Sequence, residues 1–203
     1  MALTRVELLV VIGVIALVAA LVLPGIGRQK QRVRRIQCTD NLKQLSLSFR
    51  TWAINGANDF SSQASTNREA ALGRLTNGQA FRCIQVMSNE LGTPKILVCP
   101  ADTRVPAKDF GRGLSNANLS YFVNPDAEES YPQMLLYGDR NLTNGLPLQD
   151  GILVLTPNRP VGWTHELHNC QGNVALADGS VLGLANSRLS GLVVGTTNRL
   201  AMP

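Results

Sequence analysis

Sixteen consecutive residues, Leu8 to Leu23, carry no charged or strongly polar side chain, and this run (LLVVIGVIALVAALVL) sets what the N-terminal region can become. As a helix it spans roughly 24 Å at about 1.5 Å per residue, against a bilayer core of about 30 Å. Extending it back to Leu3 closes the gap, but Glu7 then lies within the apolar span. A carboxylate there costs about 2.5–3.5 kcal/mol on insertion scales and demands a partner. One reading is an ordinary cleaved signal peptide, with Val18, Ala19 and Ala20 near the cleavage site. The single Arg5 before the run and the acid at its mouth argue against that. A plain membrane anchor is the other reading, and it gives Glu7 no purpose. The full chain of 203 residues, 44% of them hydrophobic, leaves room for one compact domain beside this segment. It excludes both a disordered chain and a polytopic membrane protein.

The net charge of +5 is local. Residues 28–50 hold Arg28, Lys30, Arg32, Arg34, Arg35, Lys43 and Arg50 against the single acid Asp40. Beyond residue 50 there are eleven basic and twelve acidic side chains, a net charge of −1. That is not the broad basic face that neutralises duplex phosphates, so no nucleic-acid partner is expected. Within the basic stretch, Cys38, Leu42, Leu45, Phe49 and Trp52 step by four and three residues and share one helical face. Lys43, Gln44 and Arg50 lie on the other. The pattern predicts a long helix with a membrane half and an amphipathic half, the second packed on a head.

The head opens near Asn55, where Asn-Gly-Ala-Asn-Asp breaks the helix. Thr66 to Glu69 has capping-box spacing. Ala80, Ile84, Met87 and Leu91 predict a helix stopped by Gly92 and Pro94. Strands are then expected at Lys95–Cys99, Leu119–Val123, Gln133–Tyr137 and Ile152–Thr156, with a tight hairpin turning at Asp178-Gly179. The expected fold class is α+β, a small antiparallel sheet packed on the long helix.

Ala2-Leu3-Thr4-Arg5-Val6-Glu7, running into Leu8–Ile12 and followed by Pro24, resembles the N-terminus of type IV pilins and type II secretion pseudopilins. Ala2 falls at the residue before the cleavage point, where the family has glycine. Leu3 falls at the first mature residue, usually phenylalanine, and Glu7 lies four positions on. Pro24 falls where the family helix has its proline. Met1-Ala2 reads as a truncated leader. The resemblance implies cleavage and methylation at Leu3 by prepilin peptidase. It also implies an inner-membrane anchor with a periplasmic head, and polymerisation with other subunits on an inner-membrane assembly platform. Glu7 would pair with a neighbouring subunit's N-terminal amine. The implied division is leader 1–2, membrane and assembly helix 3–24, amphipathic helix 25–54 and head 55–203. The positive-inside rule, by contrast, puts the cluster Arg28–Arg35 in the cytoplasm.

A second resemblance lies in the head. His168, nine intervening residues, then Asp178-Gly179 is similar to the H-X9-DG signature of pilin-like proteins abundant in planctomycete and verrucomicrobial genomes. Cys38-Thr-Asp-Asn-Leu-Lys-Gln-Leu and Cys99-Pro-Ala-Asp102 also look like that group's segments. Four cysteines allow three complete pairings, and four free buried thiols remain equally open. The resemblance implies Cys38–Cys99, which would join the long helix to the head with up to about 4 kcal/mol of chain-entropy benefit.

No catalytic constellation is legible. His165 and His168 are one residue short of the helical H-E-x-x-H spacing, so no metal ligands are assigned. The plain reading of His168 is a histidine hydrogen-bonded beside the Asp178 turn. A Cys170–His168 nucleophile pair lacks a recognisable orienting group. Asp102, Asp126, Glu128, Glu129 and Asp139 are read as loop acids that could take Ca2+, without D-x-D-x-D-G spacing. The expectation is therefore a non-enzymatic filament subunit without cofactor. The alternative is a membrane-tethered extracytoplasmic domain that binds a ligand or carries a hydrolytic site.

Overall fold

The computed structural model describes residues 4–58, 78–127, 131–157, 159–193 and 198–203. Ala2, Leu3, the Thr66–Glu69 capping box, Glu128 and Glu129 lie outside the described residues. One helix, α1, runs from Arg5 to Asn58 over 54 residues and passes through Pro24 without interruption. At 1.5 Å per residue it is about 80 Å long. Its start is a capping box: Thr4 N–H and hydroxyl both donate to Glu7 Oε2 at 2.8 Å, and Glu7 N–H donates back to Thr4 Oγ1 at 3.3 Å.

The two halves of α1 meet opposite surroundings. From Arg5 to Val22 the helix is long and apolar enough to cross a membrane, and none of it is buried. In the second half, Cys38, Leu42 and Leu45 are buried, with Phe49 and Trp52 packed against the same core. The expected face is the one that docks.

The head is built on a six-stranded antiparallel sheet. Its strands are β1 Tyr121–Val123, β2 Leu135–Asp139, β4 Ile152–Leu155, β6 Gln171–Leu176, β7 Val181–Ala185 and β8 Asn198–Ala201, ordered β4-β8-β1-β2-β6-β7. A separate pair, β3 Leu142–Thr143 with β5 Gly162–Trp163, stands apart from it. Side chains alternate across the pleat. Tyr121, Val123, Ala175 and Ala201 join the core shared with α1, whereas Phe122, Val174, Leu176, Leu153 and Leu200 join a second core. Leu142, Trp163 and Leu189 line that second core, so both sheet faces are buried. Phe122 lies opposite Gly138, where a Cβ would come within 2.6 Å of the phenyl ring. Glycine is the residue that fits.

Several elements differ from the sequence pattern. Lys95–Cys99 is not a strand: Pro94–Leu97 forms a 3-10 turn that Thr93 caps by accepting from Lys95 N–H. Burial of Ile96, Leu97, Val98 and Cys99 on all sides accounts for the apolar run there. The α-helix from Ala80 stops at Val86 and passes into a 3-10 turn over Ser88–Glu90. The strand placed at Gln133–Tyr137 lies two residues later, and its register against β6 shifts between Leu135 and Tyr137. The hairpin turns where expected, through Ala177, Asp178 and Gly179. Gly179 N–H donates to the Leu176 carbonyl at 2.9 Å, and Gly179 adopts φ +86°. This is a three-residue loop ending on a left-handed glycine rather than a two-residue turn.

Candidate functional site

Segments far apart in sequence meet where α1 crosses the sheet. The 3.6-residue period of α1 sets Cys38 one turn before Leu42 on the docked face. Cys99 follows the 3-10 turn at Pro94–Leu97, Asp139 ends β2 opposite Tyr121, and His168 lies between β5 and β6. Cys38 Sγ donates to Asp139 Oδ1 at 3.0 Å. Cys99 Sγ lies 3.3 Å from His168 Nε2, and the same Nε2 lies 3.5 Å from Asp139 Oδ2. One donor atom from each of the four residues falls within 4.8 Å of every other. Cys38, Cys99 and Asp139 are fully buried, and the His168 side chain is only 3% exposed.

A second layer orients the first. Asn173, on β6, donates its backbone N–H at 2.7 Å and its Nδ2 at 3.0 Å to Asp139 Oδ2. Its own Oδ1 accepts from the Thr39 hydroxyl at 3.3 Å and from Arg35 Nε at 3.4 Å, both on α1. Tyr121 donates to Cys38 Sγ at 3.4 Å, and Ala101 N–H to Cys99 Sγ at 3.4 Å. Beside the cluster, Asp102 Oδ2 accepts from Arg140 Nε at 2.8 Å and from the Ser120 hydroxyl at 2.7 Å.

The cluster's electrostatics follow from burial and proximity. Burial pushes the Asp139 carboxyl up to about 6, although the His168 charge and the Cys38 hydrogen bond oppose it. The Cys99 thiol is pulled down to about 5, first by its hydrogen bond with Cys38 and then, against burial, by His168. Burial raises Cys38, and Cys99 and Asp139 add to that. Burial opposes a charged His168, yet its bond to Cys99 and the Asp139 charge outweigh this and raise it.

Cys38 and Cys99 come together, as free thiols. His168 does not sit beside the Asp178 turn; it faces Cys99 and Asp139. Asp178 instead closes its own turn, accepting from Ser180 N–H at 2.8 Å, while Arg50 of α1 reaches its carbonyl. The Cys170–His168 pair is not formed: Cys170 Sγ lies 3.2 Å from His165 Nε2. Among the described residues, the proposed loop acids Asp102, Asp126 and Asp139 each have separate partners. Asp102 is engaged by Arg140, Asp126 pairs with Arg199 at 2.6 Å, and Asp139 is a buried strand residue. Asn173 and the role of Asp139 escaped the sequence reading. The one available signal was an acid ending the apolar run Leu135–Asp139. Compared with models of known protein families, with curated proteins and with solved structures, the chain matches none of them.

Proposed function

We propose that the chain is a pilin-like or pseudopilin subunit of a type IV pilus or type II secretion filament. In this reading prepilin peptidase processes it at Ala2-Leu3, the inner membrane holds it by one helix with the head in the periplasm, and an assembly platform polymerises it. The observation that carries the reading is the division of α1. Its docked half holds the head, while Val6 to Val22 leaves an apolar surface uncovered within the chain. A membrane covers that surface before assembly and neighbouring helices cover it afterwards. The rival is a static tether bearing a ligand-binding or hydrolytic head, which uses Glu7 only as the helix cap and needs neither its charge nor the cleavage spacing.

Glu7 has a local task as the reciprocal partner of Thr4, and this sharpens the test. Glu7→Gln keeps a side chain able to cap the helix but removes the charge. If the charge neutralises a neighbour's amine in an apolar filament core, Glu7→Gln and Glu7→Ala both insert normally and both lose assembly. Sedimentation of filaments and mass spectrometry of the mature N-terminus check this, with a methylated Leu3 expected. Normal assembly of both variants, or cleavage near Ala20, overturns the reading.

A further inference from the structure

We propose that Cys38, Cys99, Asp139 and His168 form a tetrahedral site for a zinc-type divalent cation, which clamps α1 to the head. The donor set is two sulfurs, one imidazole nitrogen and one carboxylate oxygen, the mixture that selects a borderline-soft ion over calcium or magnesium. Zinc bonds of about 2.0–2.3 Å set neighbouring donors about 3.3–3.8 Å apart in a tetrahedron. Cys38 Sγ lies 3.0 Å from one Asp139 oxygen, His168 Nε2 lies 3.5 Å from the other and 3.3 Å from Cys99 Sγ, and one donor atom from each residue lies within 4.8 Å of the rest, so side-chain adjustments alone can reach that geometry. Each ligand comes from a different segment, so one ion would tie the long helix to the stretch after the 3-10 turn, the strand β2 and the β5–β6 loop.

The surroundings favour a closed structural site. The protein supplies four ligands and buries them, whereas a catalytic zinc keeps a position open to water. Asn173 fixes the carboxylate from two donors, the outer-layer support that metal ligands ordinarily have. A buried carboxylate facing two buried sulfurs is costly when it stands alone, and a divalent cation offsets that cost. The same atoms do not make a hydrolytic triad. Asp139 meets the very nitrogen that faces Cys99, whereas a triad's acid engages the other one. Cys99 is also sealed from any substrate. The site stands or falls independently of the filament reading, since it concerns how α1 is held and not what its free half meets.

The test uses the full chain, purified in mild detergent with its thiols reduced and analysed for metal by elemental mass spectrometry. The expected result is about one equivalent of zinc per chain. After stripping, Co2+ should restore the strong visible absorption of tetrahedral cobalt and a thiolate charge-transfer band in the near ultraviolet. Cys99→Ser and His168→Ala should each lose the bound metal, Cys83→Ser and Cys170→Ser should keep it, and Asn173→Ala should weaken binding about 10–100-fold. Because a first-layer variant can fail to fold, the cobalt spectrum of the unaltered chain decides by itself. A reduced, folded chain that binds neither ion overturns the proposal. So does a Cys38–Cys99 disulfide in protein from the native envelope, or a cobalt spectrum that persists in the Cys38→Ser, Cys99→Ser double variant.

Discussion

Asp102 shows how a single side chain links two of the segments that drew notice in the sequence. Its side chain is buried, and it accepts from Arg140 through both carboxylate oxygens, from the Ser120 hydroxyl and from the backbone N–H groups of Thr103 and Arg104. Arg140 is shared with Glu166 at 2.5 Å, and Arg104 reaches the carbonyls of Asn116 and Leu119. Burial pushes the Asp102 carboxyl up, but the Arg140 and Ser120 bonds more than offset this and hold it below the usual carboxylate range. A carboxyl depressed on folding stabilises the native state above its unfolded pKa of about 3.9, and that contribution is lost as pH falls through the lower folded value. Asp102→Asn should therefore lower stability at neutral pH by about 1–3 kcal/mol. It should also flatten the acid limb of a stability-against-pH curve. Denaturant unfolding at several pH values checks both, and an unchanged acid limb would show that Asp102 carries no such linkage.

At the scale of elements, α1 earns its place in the head through one stripe of side chains. Leu42 is fully buried, whereas Leu47 on the same helix is 67% exposed. Leu42→Ala should cost about 2–5 kcal/mol and Leu47→Ala no more than about 0.5 kcal/mol, read as thermal unfolding of the head in detergent. Equal effects would mean that the helix is not docked by this face. That stripe was legible because Cys38, Leu42, Leu45, Phe49 and Trp52 repeat with a helical period while their neighbours are polar. The hairpin at Asp178-Gly179 and the strand at Ile152–Leu155 were legible for equally local reasons, a turn dipeptide and a β-rich run. Lys95–Cys99 misled because burial from all sides mimics a core strand, while Thr93 and Pro94 start a 3-10 turn. The two-residue strands Leu142–Thr143 and Gly162–Trp163 are too short to show a period. The cluster was half legible. Cys38, Cys99 and His168 stood out singly, but their meeting with Asp139 is made by strand order and helix docking, which no local pattern encodes.

For the whole molecule, orientation turns on the basic stretch between the two halves of α1. A count of arginines and lysines alone favours residues 28–35 on the cytoplasmic side, with the head beside them. Not every one of those charges is free to act on a membrane, however. Arg35 is spent on the head: its Nε donates to Asn173 and its Nη1 to Gln171, both on β6. Lys30, Arg32 and Arg34 remain exposed. Beyond residue 50 the near balance of charge imposes no strong orientation of its own. The filament reading therefore requires the opposite topology, with the head outside the cytoplasm, and it yields a direct measurement. Leu47, exposed on α1 beside the head, can be changed to cysteine in a background carrying Cys83→Ser and Cys170→Ser, while Cys38 and Cys99 stay buried. A membrane-impermeant maleimide should label Leu47→Cys in cells whose outer membrane alone is permeabilised, and the background chain should stay unlabelled. The protein should sediment with membranes and leave them only in detergent, as the apolar stretch of α1 requires. Labelling that appears only after the inner membrane is broken would place the head in the cytoplasm. Filament assembly outside would then be impossible, and α1 would be left as an anchor for a cytoplasmic domain.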